Sequence, residues 1–145
     1  MAFLIDTNVL SEVVRIEPEP KVREWLASLP ATQAFLSVLT VGEIARGVAL
    51  LPAGKRKEQL RRWLEHDLPQ RFAGRLLAVD RKTAEAWGEL SARAQSEGRP
   101  LPVVDGLLLA TARAHGLTLA TRNARDCEGR GVSVFDPWDG AEPRG

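Results

Sequence analysis

Apolar and polar positions along this chain repeat with two different periods, and the changes of period mark its elements. Residues 2–5 form a short apolar run that ends on a carboxylate, the pattern of a buried strand. Residues 7–15 place Val9, Leu10, Val13 and Val14 on one side and read as a helix. Pro18 and Pro20 break the chain. Pro20 then suits the first position of a helix whose apolar stripe is Val22, Trp25, Leu26 and Leu29. Residues 33–38 are a second strand. Residues 40–51 form a helix with only two charges, Glu43 and Arg46. After the turn Pro52-Ala53-Gly54, residues 55–68 are amphipathic, with Leu60, Trp63, Leu64 and Leu68 facing in; Pro69 is expected to end that helix. A third strand follows at 76–79 and a helix at 83–96, stopped by Gly98. Pro102 opens a further helix to His115, with Gly116 as its C-cap. Residues 117–120 and 132–135 are the last strands, and 141–145 read as a loose tail.

Helices and short, wholly apolar strands alternate throughout. That order argues for an α/β fold with a mainly parallel sheet of about five strands. No repeat, low-complexity tract or long linker divides the chain, so residues 1–140 are expected to be one domain. At 145 residues and 44% apolar it is long enough for a sizeable core. The single cysteine, Cys127, excludes a disulfide framework and any multi-cysteine zinc site. No apolar run reaches the roughly 18 residues of a membrane span, and the first residues lack the basic and apolar regions of a signal peptide. The expectation is a cytoplasmic protein with no membrane partner.

Net charge is +1, which argues against a polybasic nucleic-acid module. The total hides a division. Residues 1–54 carry a net −2, residues 55–82 a net +5 and residues 83–145 a net −2. The basic block is densest at Lys55-Arg56-Lys57 and Arg61-Arg62. It reads either as a solvated helix face or as a surface that contacts phosphates.

The carboxylates carry the candidate chemistry. Asp6 closes the first strand, and in open α/β sheets ligand sites form at that carboxyl edge. Asp105 sits in the first turn of a helix that is apolar nearly all round and therefore buried. Glu43 is the one acid of its helix. Each also has a plain structural reading. Asp6 would cap the next helix. Thr40-x-x-Glu43 matches a capping box. Glu43 would also pair with Arg46. Asp105 would complement a helix dipole, and Asn123 would cap a short turn. Brought together by the sheet, however, the acids oppose one another. At about 4 Å and an effective dielectric near 20, each close pair costs about 4 kcal/mol. A divalent cation removes that cost, and hard oxygen ligands without His or Cys select Mg²⁺ or Mn²⁺.

Five segments in order resemble a known family. They are Leu4-Ile5-Asp6-Thr7-Asn8-Val9-Leu10-Ser11-Glu12, then Leu36 to Ile44 with Arg46-Gly47, then Asp105-Gly106 with Ala110-Thr111-Ala112, then Leu119-Ala120-Thr121-Arg122-Asn123, and Phe135-Asp136-Pro137-Trp138. From Phe3 to Trp138 the chain resembles PIN domains, and among them the VapC-type toxins of toxin–antitoxin modules, FitB-like branch included. The resemblance implies a PIN-like three-layer α/β/α sandwich and a metal-dependent endoribonuclease. It assigns Asp6, Glu43 and Asp105 as catalytic and metal-binding residues. At the fourth acidic position this chain has Asn123, and Asp126 is the other candidate for that place. The resemblance also implies an RNA substrate; Thr121 would then bond a phosphate or a metal ligand and Arg46 and Arg122 would contact the RNA backbone, while the charge pattern makes the basic block, with Arg61 and Arg62, the surface that would guide the RNA. It further implies a homodimer and a small antitoxin partner.

Two other readings compete. A phosphatase of the haloacid dehalogenase type needs a second Asp two residues after the first, and Asn8 stands there. A non-catalytic binding domain would keep the acids as caps. Gly54-Lys55 fails as a P-loop, because Ala49 and Arg56 occupy the required Gly and Ser/Thr positions. His66 and His115 lack partners for a triad or a zinc site. Trp25, Trp63, Trp87 and Trp138 read as core or interface anchors, with Trp63 the one placed to stack on a base.

Overall fold

In the computed structural model, which describes residues 1–145, five short strands lie side by side and all run parallel: β1 (Phe3–Ile5), β2 (Ala34–Ser37), β3 (Leu76–Leu77), β4 (Thr118–Ala120) and β5 (Val134–Phe135). Their order is β3-β2-β1-β4-β5. The chain therefore builds outward from β1 in one direction and then returns to build outward in the other. In open α/β sheets this reversal leaves a crevice at the carboxyl ends of the strands where it occurs, here β1 and β4.

Both faces of the sheet are covered, which is why the strands are apolar without alternation. The pleat sends successive side chains to opposite faces. Phe3, Ile5, Leu36, Ala120 and Phe135 face a layer made by α1 (Thr7–Val13), α2 (Pro20–Ser28), α3 (Val38–Leu50), α4 (Lys55–Arg62) and α5 (Leu68–Arg71). Leu4, Leu119 and Val134 face α6 (Arg81–Ser96), α7 (Val103–His115) and the short α8 (Ala124–Cys127). Trp25 packs edge-on against Phe3 at 5.1 Å and lies tilted against Phe135 at 5.0 Å, so it is a core anchor. Trp63 packs against the same core, so its indole serves the interior rather than a base.

Several boundaries differ from the sequence reading, each for a local reason. Val38 opens α3 instead of ending β2, because Ser37 is the N-cap: its Oγ accepts the Leu39 N–H at 3.0 Å. Thr40 is thus inside the helix, and the capping box with Glu43 does not form. Pro69 does not end its helix. Trp63–Asp67 is a π turn, in which the Leu68 N–H reaches back five residues to the Trp63 carbonyl. That wider turn relieves the clash a proline ring makes with the carbonyl four residues earlier, so the helix continues to Arg71. The third strand shrinks to two residues, and α6 starts earlier because Asp80 Oδ1 caps the Thr83 N–H at 2.9 Å. Pro102 precedes α7 instead of opening it, while Gly116 closes it in the left-handed region, at φ 64°. The tail expected to be loose is tied at Arg144. Its backbone exchanges two hydrogen bonds with Val134, at 2.7 and 2.9 Å, and its guanidinium pairs with Glu128.

Candidate active site at the carboxyl edge

The site starts from Asp6, the residue that ends β1 and caps α1. The capping role read for Asp6 from the sequence holds. Its Oδ1 accepts the Thr7 N–H at 2.6 Å, and its backbone carbonyl accepts the first helical bonds from Val9 and Leu10. Its Oδ2 accepts the hydroxyl of Thr121, at 2.8 Å, from the end of neighbouring β4. Thr121 is fully buried, and the same oxygen accepts the Asn123 N–H at 3.1 Å and the Asn8 amide at 3.3 Å. Its hydroxyl is therefore spent on holding Asp6, not free for a phosphate. The register of two central strands fixes where this carboxylate points.

Asn8 and Thr7 are the residues that sequence reasoning left without a role. The Asn8 amide donates to Thr121 and, at 3.5 Å, to Asp6, while its Oδ1 accepts the Arg122 N–H at 3.2 Å. It ties the turn after β1 to the turn after β4. The Thr7 hydroxyl donates to Glu43 Oε1 at 2.5 Å, across from α1 to α3. The only signal for either was position: both follow Asp6 directly in the turn into a helix.

Asp105 enters from α7, and a close approach sets its place. A Cβ on the next residue, Gly106, would stand 3.1 Å from the Trp87 ring, so glycine there lets α6 close onto the first turn of α7. The charges of Asp105 and Glu43 reach Asp6, and those of Glu43 and Asp126 reach Asp105. Burial pushes the Asp6 carboxyl up to about 6. The Thr121 and Thr7 hydrogen bonds oppose that rise, and the charges of Asp105 and Glu43 add to it. Burial also raises Asp105, followed by the charges of Glu43 and Asp126. No cation is among the groups acting on either. Arg46 makes no ion pair with Glu43 and stays exposed, so that alternative reading fails. Asn123 is exposed, and its side chain does not cap α8.

The donor set is all oxygen. Cys127 lies near these acids, but burial and the charges of Asp105 and Asp6 push its thiol up to about 12, so it is no thiolate ligand. That chemistry fits a hard divalent cation. The acids are spread: no three His, Cys, Asp or Glu side chains stand at the spacing that grips an ion.

The basic residues divide. Arg122 lies over the Trp138 ring at 4.8 Å, next to buried Glu12. Arg61 is held by Glu58 at 2.7 Å and Glu65 at 3.9 Å on its own helical segment. Arg62 has no such partner and lines an open concavity with Gly54, Lys55, Glu58 and Gln59. Neither Arg61 nor Arg62 touches the acids.

A family model described as PIN domain matches residues 3–128. The chain belongs to the PIN domain family. It is 41% identical over 136 residues to the toxin FitB of Neisseria gonorrhoeae, covering 94% of this chain and 98% of that one. It is 36% identical to the VapC ribonuclease Y4jK of Sinorhizobium fredii, over 96% of this chain and 99% of the relative. The crystal structure of FitAcB from Neisseria gonorrhoeae superposes with a TM-score of 0.90 at 40% identity, covering 94% and 98% of the two chains. The five-stranded sheet between two helical layers is thus the PIN architecture. The haloacid dehalogenase reading falls with it. No helix of this PIN domain is long and apolar enough to cross a membrane.

Proposed function

We propose that this PIN domain is the Mg²⁺-dependent endoribonuclease toxin of a toxin–antitoxin module, with Mn²⁺ as an alternative ion. The observation that carries the reading is a pair of carboxylates, Asp6 and Asp105, that burial first and then nearby acidic charge, that of Glu43 included, hold above the ordinary carboxylate range, at the carboxyl edge where the sheet reverses direction. Asp6, Asp105 and Glu43 would hold the ion, and Asn123 or Asp126 would complete the set. When bound, the ion stabilises charge on the scissile phosphate and lowers the pKa of water.

The chain's own groups do the rest. Thr121 and the Thr7 N–H hold Asp6 in one orientation. Glu43, steadied by the Thr7 hydroxyl, orients the attacking water and takes its proton. Arg46, unpaired one helical turn beyond Glu43, and Arg122, braced on Trp138, contact the RNA backbone. Attack by water rather than by the 2′-hydroxyl leaves a 5′-phosphate and a 3′-hydroxyl. A small antitoxin, a homodimeric state and a cytoplasmic location complete the reading; its support is the toxin and ribonuclease names of the relatives.

Sequencing RNA ends from cells expressing the wild type or Asp6→Asn tests activity and substrate together. New 5′-phosphate ends are expected with the wild type alone. The same ends from both would sink the assignment.

A further inference from the structure

Arg130 is a buried charge that no part of the mechanism uses. It is 8% exposed, and both of its hydrogen bonds run to backbone carbonyls, not to a carboxylate. Its Nε donates to the Asp126 carbonyl at 3.0 Å and its Nη1 to the Arg99 carbonyl at 2.8 Å. Gly129 and Gly131 flank it with φ of 78° and 79°, a left-handed backbone that glycine adopts without strain. The two turns swing the arginine inward between them.

The two carbonyls belong to the two segments that deliver acids to the site. Asp126 is itself one of those acids, on α8. Arg99 lies in the loop between α6 and α7, and α7 presents Asp105 in its first turn. Arg99 strengthens the link by reaching the Glu128 carbonyl at 3.4 Å. A buried guanidinium without a carboxylate partner is a costly way to join two loops, because neutral carbonyls offset only part of the cost of burying its charge. What the guanidinium adds is a rigid fork whose two donors keep a fixed separation.

We propose that Arg130 is a positioning residue for the acidic site: by joining the Asp126 and Arg99 carbonyls it sets the separation of Asp126 from Asp105, and through it the affinity of the site for a divalent cation. This rests on the metal-dependent reading above.

The test is Mn²⁺ binding to the full chain by titration calorimetry without RNA, in the wild type, Arg130→Met, Arg130→Lys and Asp6→Asn. Arg130→Met should weaken Mn²⁺ binding about tenfold, the lower end of what losing a group that orients a ligand costs. Arg130→Lys should fall between, because its donors sit on one atom. A merely structural arginine would lower the melting temperature and leave the Mn²⁺ affinity of the folded protein unchanged, and that result overturns the proposal. If Arg130→Met does not fold, wild-type affinity in folded Arg130→Lys overturns it equally. A wild type that neither binds Mn²⁺ nor cuts RNA overturns the nuclease reading as well. Wild-type binding lost in Asp6→Asn but kept in both Arg130 variants overturns this inference alone.

Discussion

The acids at the carboxyl edge and the bases of residues 55–82 are opposite in charge and also in how they are satisfied. Asp6 and Asp105 lose solvent and face other carboxylates, with no cation acting on them. The bases are mostly occupied. Arg56 donates to the Val14 carbonyl and Arg71 to the Leu26 carbonyl, at the ends of α1 and α2. Lys57 reaches the Ala49 and Leu51 carbonyls at the end of α3, at 3.2 and 3.1 Å. Arg75 holds the Ala34 and Arg71 carbonyls. Helix C-termini present unsatisfied carbonyls at the negative end of a dipole, so cations there stabilise the fold. A run of like charge in a sequence is thus no guide to whether those charges are free. Here the basic block is largely masonry, and the acidic edge holds the unmet demand.

The pH dependence of stability offers the sharpest break. The Asp6 carboxyl keeps its proton up to about pH 6 when folded, against an ordinary 3.8. The folded chain therefore binds more protons than the unfolded chain between those values, and stability falls as pH rises through that window. The loss is about 3 kcal/mol in all, and it persists above pH 6. In metal-free Asp6→Asn the melting temperature should change much less from pH 4 to pH 7. A wild-type chain whose stability varies with pH just as that of Asp6→Asn does would show that the edge is not strained. Next in size is Arg75→Met, which should cost about 2 kcal/mol, as for hydrogen bonds to a charged group, in a denaturant titration, with cleavage unchanged. Intact stability would return the block to the role of plain surface. Thr7→Val removes the hydroxyl that steadies Glu43. It should slow cleavage about tenfold in a single-turnover assay without lowering the melting temperature. Smallest is the contrast between two neighbours. Arg61→Gln should cost a few tenths of a kcal/mol by breaking its helical ion pairs. Arg62→Gln should cost nothing and lower the salt slope of RNA binding by about one. Equal salt slopes in the two variants would show that this face does not meet RNA.

How much of this was legible in the sequence depended on range. Asp6 as the end of a buried strand, Asp105 in the first turn of a buried helix and Gly116 as a C-cap follow from patterns within a few residues. Ser37 was passed over as a cap because Thr40 three residues later offered a competing one with a Glu at the right spacing. The π turn that spares Pro69 has no sequence marker. The basic residues defied reading because their acceptors are carbonyls of distant helix ends, as with Arg71 on Leu26. In the site, Thr121 was placed as a phosphate or ligand contact, and its bond to Asp6 needed the pairing of β1 with β4 to be seen. Arg130 carried a faint mark, one base between two glycines.

The bond between Asp6 and Thr121 also has a consequence in time. The two residues are 115 positions apart, so the hold on Asp6 comes from a distant part of the chain. During synthesis β1 emerges first and must wait for β4, which follows only after β2, β3 and the helices between them. A chain cut short before residue 121 by a frameshift, a stalled ribosome or a protease lacks that strand and cannot orient its first carboxylate. On the proposed reading, cleavage by such a protein is expected only from chains in which β4 has been made and has paired with β1.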